Sequence, residues 1–411
     1  MRPHAARWVP LLEGEDAAAA SRAIDAIARD LRARSDDHRG GPSVTDGRAG
    51  AAIFFRYLDR DGDAADELGA SAAQLVEIEG WPSLCGGFAG VGWAFEHLRE
   101  RVDGIDAHTS DVIDDALVAA LGGGAWRRDF DLISGLVGFG VYARERMPHG
   151  GGAAILARVV DRLAEVAEGA RTITWHTPRE LLPPESRDDC PHGWYNLGLA
   201  HGVPGVIAIL GVACEAGIAK ARPLLEGAVR WLLERRQPNG ACKSTFALFE
   251  RRGFDDPPRT SRLAWCYGDP GAAIALDVAA RCAGERAWED AALAIARRAA
   301  ARSIEDAGVR DAGLCHGAAG VAHIFNRLAQ TTGDAALRDA ARAWFRAVIA
   351  MRRDGEGIGG YRSWGPAPGG DGTRVWYDDP ALLTGAPGIA LALRAAISDE
   401  EPRWDRLLLM S

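Results

Sequence analysis

Residues 202–210 read GVPGVIAIL, a Gly-x-x-Gly pair that runs straight into a small-residue, apolar segment. The same arrangement stands at 47–55 (GRAGAAIFF), 87–95 (GFAGVGWAF) and 135–143 (GLVGFGVYA), and again at 268–276 (GDPGAAIAL), 317–325 (GAAGVAHIF) and 385–393 (GAPGIALAL). The first glycines follow one another at steps of 40, 48, 67, 66, 49 and 68 residues. One such pair is weak evidence of anything, whereas seven, each opening an Ala-rich apolar run, define a repeat. The first two turns after each pair carry little charge, as expected of a helix buried on most sides. The glycines fit a turn where backbones approach closely.

Before each pair lies a helix of a second kind, more charged and more amphipathic, at about 16–35, 62–78, 108–121, 151–168, 219–235, 286–302 and 333–350. ILARVVDRLAEVA (155–167) shows their apolar spacing, with Arg, Asp and Glu in between. Little of the chain reads as strand. Seven buried and seven amphipathic helices predict an all-α fold. Its simplest closed form is an (α/α)7 toroid, an inner ring of seven helices inside an outer ring of seven, over residues 1–411 as a single domain. An open solenoid needs polar capping repeats, yet the last copy, ALLTGAPGIALALRAAI, is as apolar as the middle ones. Three Pro/Gly-rich inserts, 169–196, 236–262 and 354–380, account for the longer steps. Loops of this length are uncommon and often functional; in a toroid they would lie over one mouth.

Composition narrows the function. The 411 residues carry 48 basic and 57 acidic side chains, a formal charge of -9. That balance argues against a nucleic-acid binder, which neutralises phosphates with Lys and Arg. An apolar content of 47% belongs to a folded globular protein. No uncharged apolar stretch is long enough to span a bilayer, and the N-terminal segment lacks the apolar core of a signal peptide. Seven cysteines, an odd number in a large chain, fit a reducing cytoplasm better than a disulfide framework.

Aligned on the first glycine of each pair, the repeats put chemistry in one register. Cys85, Cys266 and Cys315 stand two places before it, and His201 and His316 one place before it. Equivalent turns of a closed ring lie at one end, so Cys266, Cys315 and His316 can converge as two thiolates and an imidazole. That set suits Zn²⁺, with a fourth position open for water or substrate. A buried cysteine is often only a small core hydrophobe; Cys85, followed by glycine rather than histidine, is either that, the favoured reading, or a substitute ligand. His201 is either a turn-stabilising imidazole or an acid/base group beside the metal. Asp131, four places before Gly135, caps a helix or orients a proton near His201. Arg262, four before Cys266, supplies a cation for developing negative charge or a salt bridge. Tyr267 faces the cavity or packs.

At this point DLISGLVG (131–138), NLGLAHGVPG (196–205), RLAWCYGDPG (262–271), GLCHGAAG (313–320) and the terminal LLTGAPGIALAL (382–393) resemble the lanthionine synthetase C-like family over nearly the whole chain. The resemblance implies the double-ring toroid and zinc held by Cys266, Cys315 and His316. It also implies a catalytic His201, an acidic partner in Asp131, and conserved functional roles for Arg262 and Tyr267. It implies a cyclase that adds peptide cysteines to dehydroalanine or dehydrobutyrine, forming (methyl)lanthionine thioethers. Its substrate would be a dehydrated precursor peptide prepared by a separate dehydratase, a partner that could share a biosynthetic complex with it. In that chemistry His201 either protonates the enolate or deprotonates the incoming thiol. Three other functions are compatible with the residues: addition of glutathione or another thiol to dehydroamino acids in proteins, a non-enzymatic zinc-stabilised peptide scaffold, and a glycan-processing enzyme using Asp131, Asp269 or Asp378–Asp379 as paired carboxylates.

Overall fold

The computed structural model describes residues 7–34, 40–75, 82–102, 107–366, 369 and 372–411. Fourteen α-helices among them alternate between the two expected kinds. The amphipathic set is α1 (Gly14–Ala33), α3 (Asp61–Leu75), α5 (Ala107–Leu121), α7 (Gly152–Glu165), α9 (Ala221–Glu234), α11 (Arg286–Ala300) and α13 (Ala335–Ala350). The set that follows the glycine pairs is α2 (Arg48–Arg56), α4 (Phe88–Leu98), α6 (Leu136–Arg146), α8 (Val203–Glu215), α10 (Asp269–Ala283), α12 (Ala318–Thr332) and α14 (Ala386–Ile397).

Burial separates the two sets as the charge pattern requires. In α8 every residue from Val203 to Ala213 is buried, and in α10 every residue from Asp269 to Ala280. In α7 the buried side chains are Ile155, Leu156, Val159, Val160 and Leu163, with Gly152, a single stripe at helical spacing. In α13 the stripe is Leu337, Ala341, Trp344, Phe345 and Val348.

The described residues form two compact groups. One draws on 1–78, 98–105 and 303–405. In it α2 packs on α3, α12 on α13, and α14 on α2 and α12. The first helix, α1, packs mainly on the last, α14, and Trp8 Nε1 donates to the Ala395 carbonyl at 2.8 Å. Each buried helix in these pairs therefore takes as partner the amphipathic helix that follows it, and α1 serves α14 in that role. The other group draws on 79–97, 106–302 and 406–411, where α6 packs on α7, α8 on α9, α10 on α11, and α8 lies between α6 and α10.

The expectation of little strand holds: the strands among the described residues are four short ones, all in the inserts. Tyr195 and its neighbours form β1 (Trp194–Asn196), which pairs antiparallel with β2 (Phe249–Arg251), tying insert 169–196 to insert 236–262. Insert 354–380 folds back as a hairpin of β3 (Ser363–Pro366) and β4 (Arg374–Tyr377). These strands are three or four residues long, and their Trp and Tyr content sits among Pro and Gly. Period-2 patterning needs longer runs to register.

The glycine pairs owe their identity to crossing backbone. A Cβ on Gly202 would overlap the Asn196 carbonyl oxygen, and one on Gly205 would come within 2.5 Å of that of Leu199. In both cases the obstructing carbonyl lies six residues earlier. At Gly268 the constraint is doubled: its φ is +89°, and a Cβ would meet the Arg262 carbonyl oxygen. The loops before these pairs thus fold over the helix starts, and no side chain larger than hydrogen fits at Gly202, Gly205 or Gly268.

Candidate functional site

Main-chain hydrogen bonds link these loops from one repeat to the next. In one group Cys85 N donates to Ile133 O (3.2 Å), Leu132 N to Ala200 O (3.1 Å), and Ala200 N to Cys266 O (3.3 Å). In the other, Cys315 N donates to Leu383 O (2.9 Å) and Leu383 N to Thr45 O (3.1 Å). With the single exception of Leu132, each of these residues lies two places before a first glycine. The register seen in the sequence is a physical ladder, and it fixes the backbones that carry Cys266 and Cys315.

The ligand atoms of Cys266, Cys315 and His316 all lie within 4.8 Å of one another. Tetrahedral bonds of about 2.0–2.3 Å to sulfur and nitrogen imply ligand separations of about 3.3–3.8 Å. The trio therefore fits one small ion with a modest contraction, and its donor set of two sulfurs and one imidazole suits zinc. Cys266 is buried, while Cys315 and His316 are partly exposed. Trp265, fully buried, donates its Nε1 to the Leu408 carbonyl at 2.9 Å and fixes the turn from the other side.

Arg262 directs Nη2 to the Cys266 sulfur at 3.7 Å. This is a charge-assisted contact of the kind that favours a thiolate. His201 Nδ1 meets Asp131 Oδ2 at 2.6 Å, and the second oxygen of Asp131 accepts from the Ser134 N–H at 2.8 Å. Both oxygens of Asp131 are thus engaged, and the imidazole is held with Nε2 left for other partners. Burial works against a charge on His201, but the Asp131 hydrogen bond and charge, with Cys266 and Asp129 adding to them, outweigh it and raise its pKa. Tyr267, whose ring centroid lies 6.2 Å from that of His201, accepts from Asn196 Nδ2 at 3.0 Å. Burial pushes its hydroxyl up to about 12, so it stays protonated at neutral pH.

A cleft of about 240 Å³ opens beside this dyad, lined by Asp131, His201, Asn196 and Tyr267, and by Thr177, Leu181, Pro183 and Trp194 from insert 169–196. Insert 169–196 thus forms one wall of the cleft, packed through Leu182, Cys190 and Trp194, with Phe249 stacked on Trp194 at 4.5 Å.

Three residues with work in the site escaped the sequence reading. Asp129 lines the cleft; burial and the Asp131 charge raise its pKa. Asn196 positions both the Gly198 N–H, at 2.9 Å, and Tyr267. Asp311 accepts from Gly313 N at 3.1 Å and braces the loop that carries Cys315 and His316. A signal was available: Asp129, Asn196, Asp311 and Asp379 all stand six places before a first glycine. In three of the four the side chain accepts the N–H two residues on. Cys85 is buried in the ladder. Asp269 accepts from the Thr245 and Phe246 N–H groups (2.7 and 3.1 Å), and Asp379 from Ala381 N and the Thr384 hydroxyl (2.9 and 2.7 Å). Both are therefore held as structural anchors by these hydrogen bonds.

No described helix is long and apolar enough to cross a membrane. The structure is similar to that of nisin cyclase, with a TM-score of 0.73 and 19% identity, over 95% of this chain and 97% of that one. The all-α double-ring toroid expected from the repeat is the fold the two share. The family model described as lanthionine synthetase C-like protein matches residues 38–409. With nearly the whole length matched, the chain belongs to the lanthionine synthetase C-like family.

Proposed function

We propose that the chain is a zinc-dependent peptide cyclase that forms lanthionine or methyllanthionine thioethers, with Cys266, Cys315 and His316 holding the ion. The observation that carries this reading is the convergence of those three ligand atoms within 4.8 Å. Family membership gives the reaction class its starting point. Zinc bound there would hold a substrate cysteine as its thiolate and lower its pKa.

The protein's own groups account for the proton and the charge. As the substrate sulfur adds to the β-carbon of a dehydro residue, a C–S bond forms and the π pair moves toward the α-carbon and carbonyl, giving an enolate. That enolate takes a proton at the α-carbon. His201 is suited to give it, because Asp131 holds Nδ1 and raises the imidazole pKa, leaving Nε2–H as the donor. Arg262, beside the Cys266 sulfur, offsets negative charge in the site. Tyr267 and Asn196 give the cleft neutral hydrogen-bonding groups, and Leu181, Pro183 and Trp194 give it apolar ones. A scaffold would have no use for the His201–Asp131 pair.

The test uses a synthetic peptide with one cysteine and one dehydroalanine. Cyclisation leaves its mass unchanged and makes its sulfur unreactive to iodoacetamide. Loss of the alkylatable thiol only in the presence of the zinc-loaded protein supports the reading. Alkylation at the protein-free rate overturns it. Appearance of a glutathione adduct without ring closure, when glutathione is supplied, assigns intermolecular thiol addition instead.

A further inference from the structure

A second cleft, of about 360 Å³, lies in the group that carries Cys315 and His316. Its lining is basic and aromatic: Arg310, Arg353 and Arg362, with Tyr361 and Trp376, and one exposed carboxylate, Glu356. The Asp311 side chain also borders it, but its two oxygens accept the N–H groups of Gly313 and Trp364 at 3.1 and 3.0 Å. In a chain with a net charge of -9 such a concentration of arginines needs a reason.

Of the three arginines only Arg362 is in an ion pair among the described residues. Arg310 lies over the Trp364 ring, 5.4 Å from its centroid. Arg353 donates to the carbonyls of Ala350 and Arg352, at 3.0 and 3.3 Å. Among the described residues neither meets a carboxylate. Arg362 donates to the Trp376 carbonyl and reaches Asp378 only at 3.7 Å. Fork-shaped guanidinium groups with spare donors suit planar carboxylates. The flanking aromatic surface, with Trp376 44% exposed, suits an apolar side chain next to an acidic one. Glu356 in the rim disfavours a compact dianion such as phosphate, which would meet its charge at close range.

We propose that this cleft docks an acidic peptide segment, with Arg310, Arg353 and Arg362 taking Asp or Glu carboxylates and Trp376 the neighbouring apolar side chain. Its floor, Asp311 and Ala312, belongs to the loop that continues into Cys315 and His316. A segment held there is anchored next to the turn that carries two of the proposed metal ligands. The inference rests on the reading that the chain acts on a peptide, and it names the part of that peptide that is bound rather than modified.

The experiment measures binding without turnover. A fluorescein-labelled, end-blocked Asp-Leu-Glu-Phe-Asp-Leu peptide is titrated with the full-length protein at low salt and followed by anisotropy. Its Asn/Gln counterpart and inorganic phosphate, the latter as competitor, are run alongside. The proposal expects the acidic peptide to bind at least tenfold more tightly than the amide version. It expects Arg310→Gln with Arg353→Gln to abolish that preference, and Lys220→Gln, which removes an exposed cation elsewhere, and His201→Ala to preserve it. Equal binding of the two peptides, no loss in the double variant, or displacement by phosphate as effective as by unlabelled acidic peptide would each overturn it. Binding retained in a protein that fails the cyclisation assay supports the cleft while refuting the proposed reaction. Cyclisation without the binding preference does the reverse.

Discussion

The His201–Asp131 pair decides how the proposed chemistry depends on pH. Asp131 raises the His201 pKa, so the imidazole keeps its proton to higher pH than an ordinary histidine near 6.5. If the protonated form is the donor, activity is full below the raised value and falls as pH climbs through it. Replacing Asp131 by Asn removes the largest group opposing burial. The alkaline limb of kcat/KM is then expected to move to lower pH, with zinc content unchanged; a limb that stays in place contradicts His201 as donor. His201→Ala should lower the rate about 10²–10⁴-fold while retaining metal. Of these residues, Asp131, His201, Arg262, Tyr267 and the three ligand candidates were legible because they stand next to the glycine pairs, whose register can be counted. Asn196 and Asp311 were not singled out, because their work is to bind main-chain N–H groups and turn geometry carries no apolar period to read.

At the scale of elements, the turn at 262–271 holds the strictest backbone requirement. Gly268 combines a positive φ with a Cβ position already filled by the Arg262 carbonyl. Gly268→Ala should cost at least about 2 kcal/mol from strain and overlap together. Because it shifts the peptide that follows Cys266 and Tyr267, it should also lower metal affinity; denaturant unfolding with and without zinc reads both effects. A change of stability under 0.5 kcal/mol would contradict the turn as described. A second element-scale anchor is Asp405, 0% exposed, which accepts from His323 Nε2 at 2.9 Å and from Arg327 Nε and Nη2 at 2.9 and 3.0 Å. Asp405→Ala strands a buried guanidinium and is expected to destabilise by about 3–5 kcal/mol, read by denaturant midpoint. Helices were legible to within a few residues because their burial stripes repeat over three or more turns. The strands were not: β1 and β2 pair across more than fifty residues and owe their existence to each other rather than to a local pattern.

For the whole molecule, repetition is what makes the site possible. Neither Cys266 nor the Cys315–His316 pair is a local metal motif, since 48 residues separate the last liganding residue of one turn from the first of the next. The turns are equivalent in register, and the ladder from Cys85 through Ile133 and Ala200 to Cys266 in one group, with the corresponding steps from Cys315 through Leu383 to Thr45 in the other, is the physical form of that equivalence. The packing partner of a buried helix in the described pairs is the amphipathic helix that follows it, and α1 completes the set by packing on α14, a choice of neighbour the sequence left open. Charge patterning distinguishes the two kinds of helix but not which neighbour each chooses, a matter settled by loop length and packing. The basic cleft was invisible for a related reason. Arg310 and the 353–362 arginines are far apart in sequence and meet only around the β3–β4 hairpin.

The central claim is that three side chains from two repeats share one ion. Metal content per chain, measured by mass spectrometry on protein dialysed against zinc and then desalted, tests it most directly. Wild type and His201→Ala should each carry about one zinc, and Cys315→Ala, folded by circular dichroism, less than about a tenth of that. Wild-type zinc content in folded Cys315→Ala, or none in the wild type, would contradict the account.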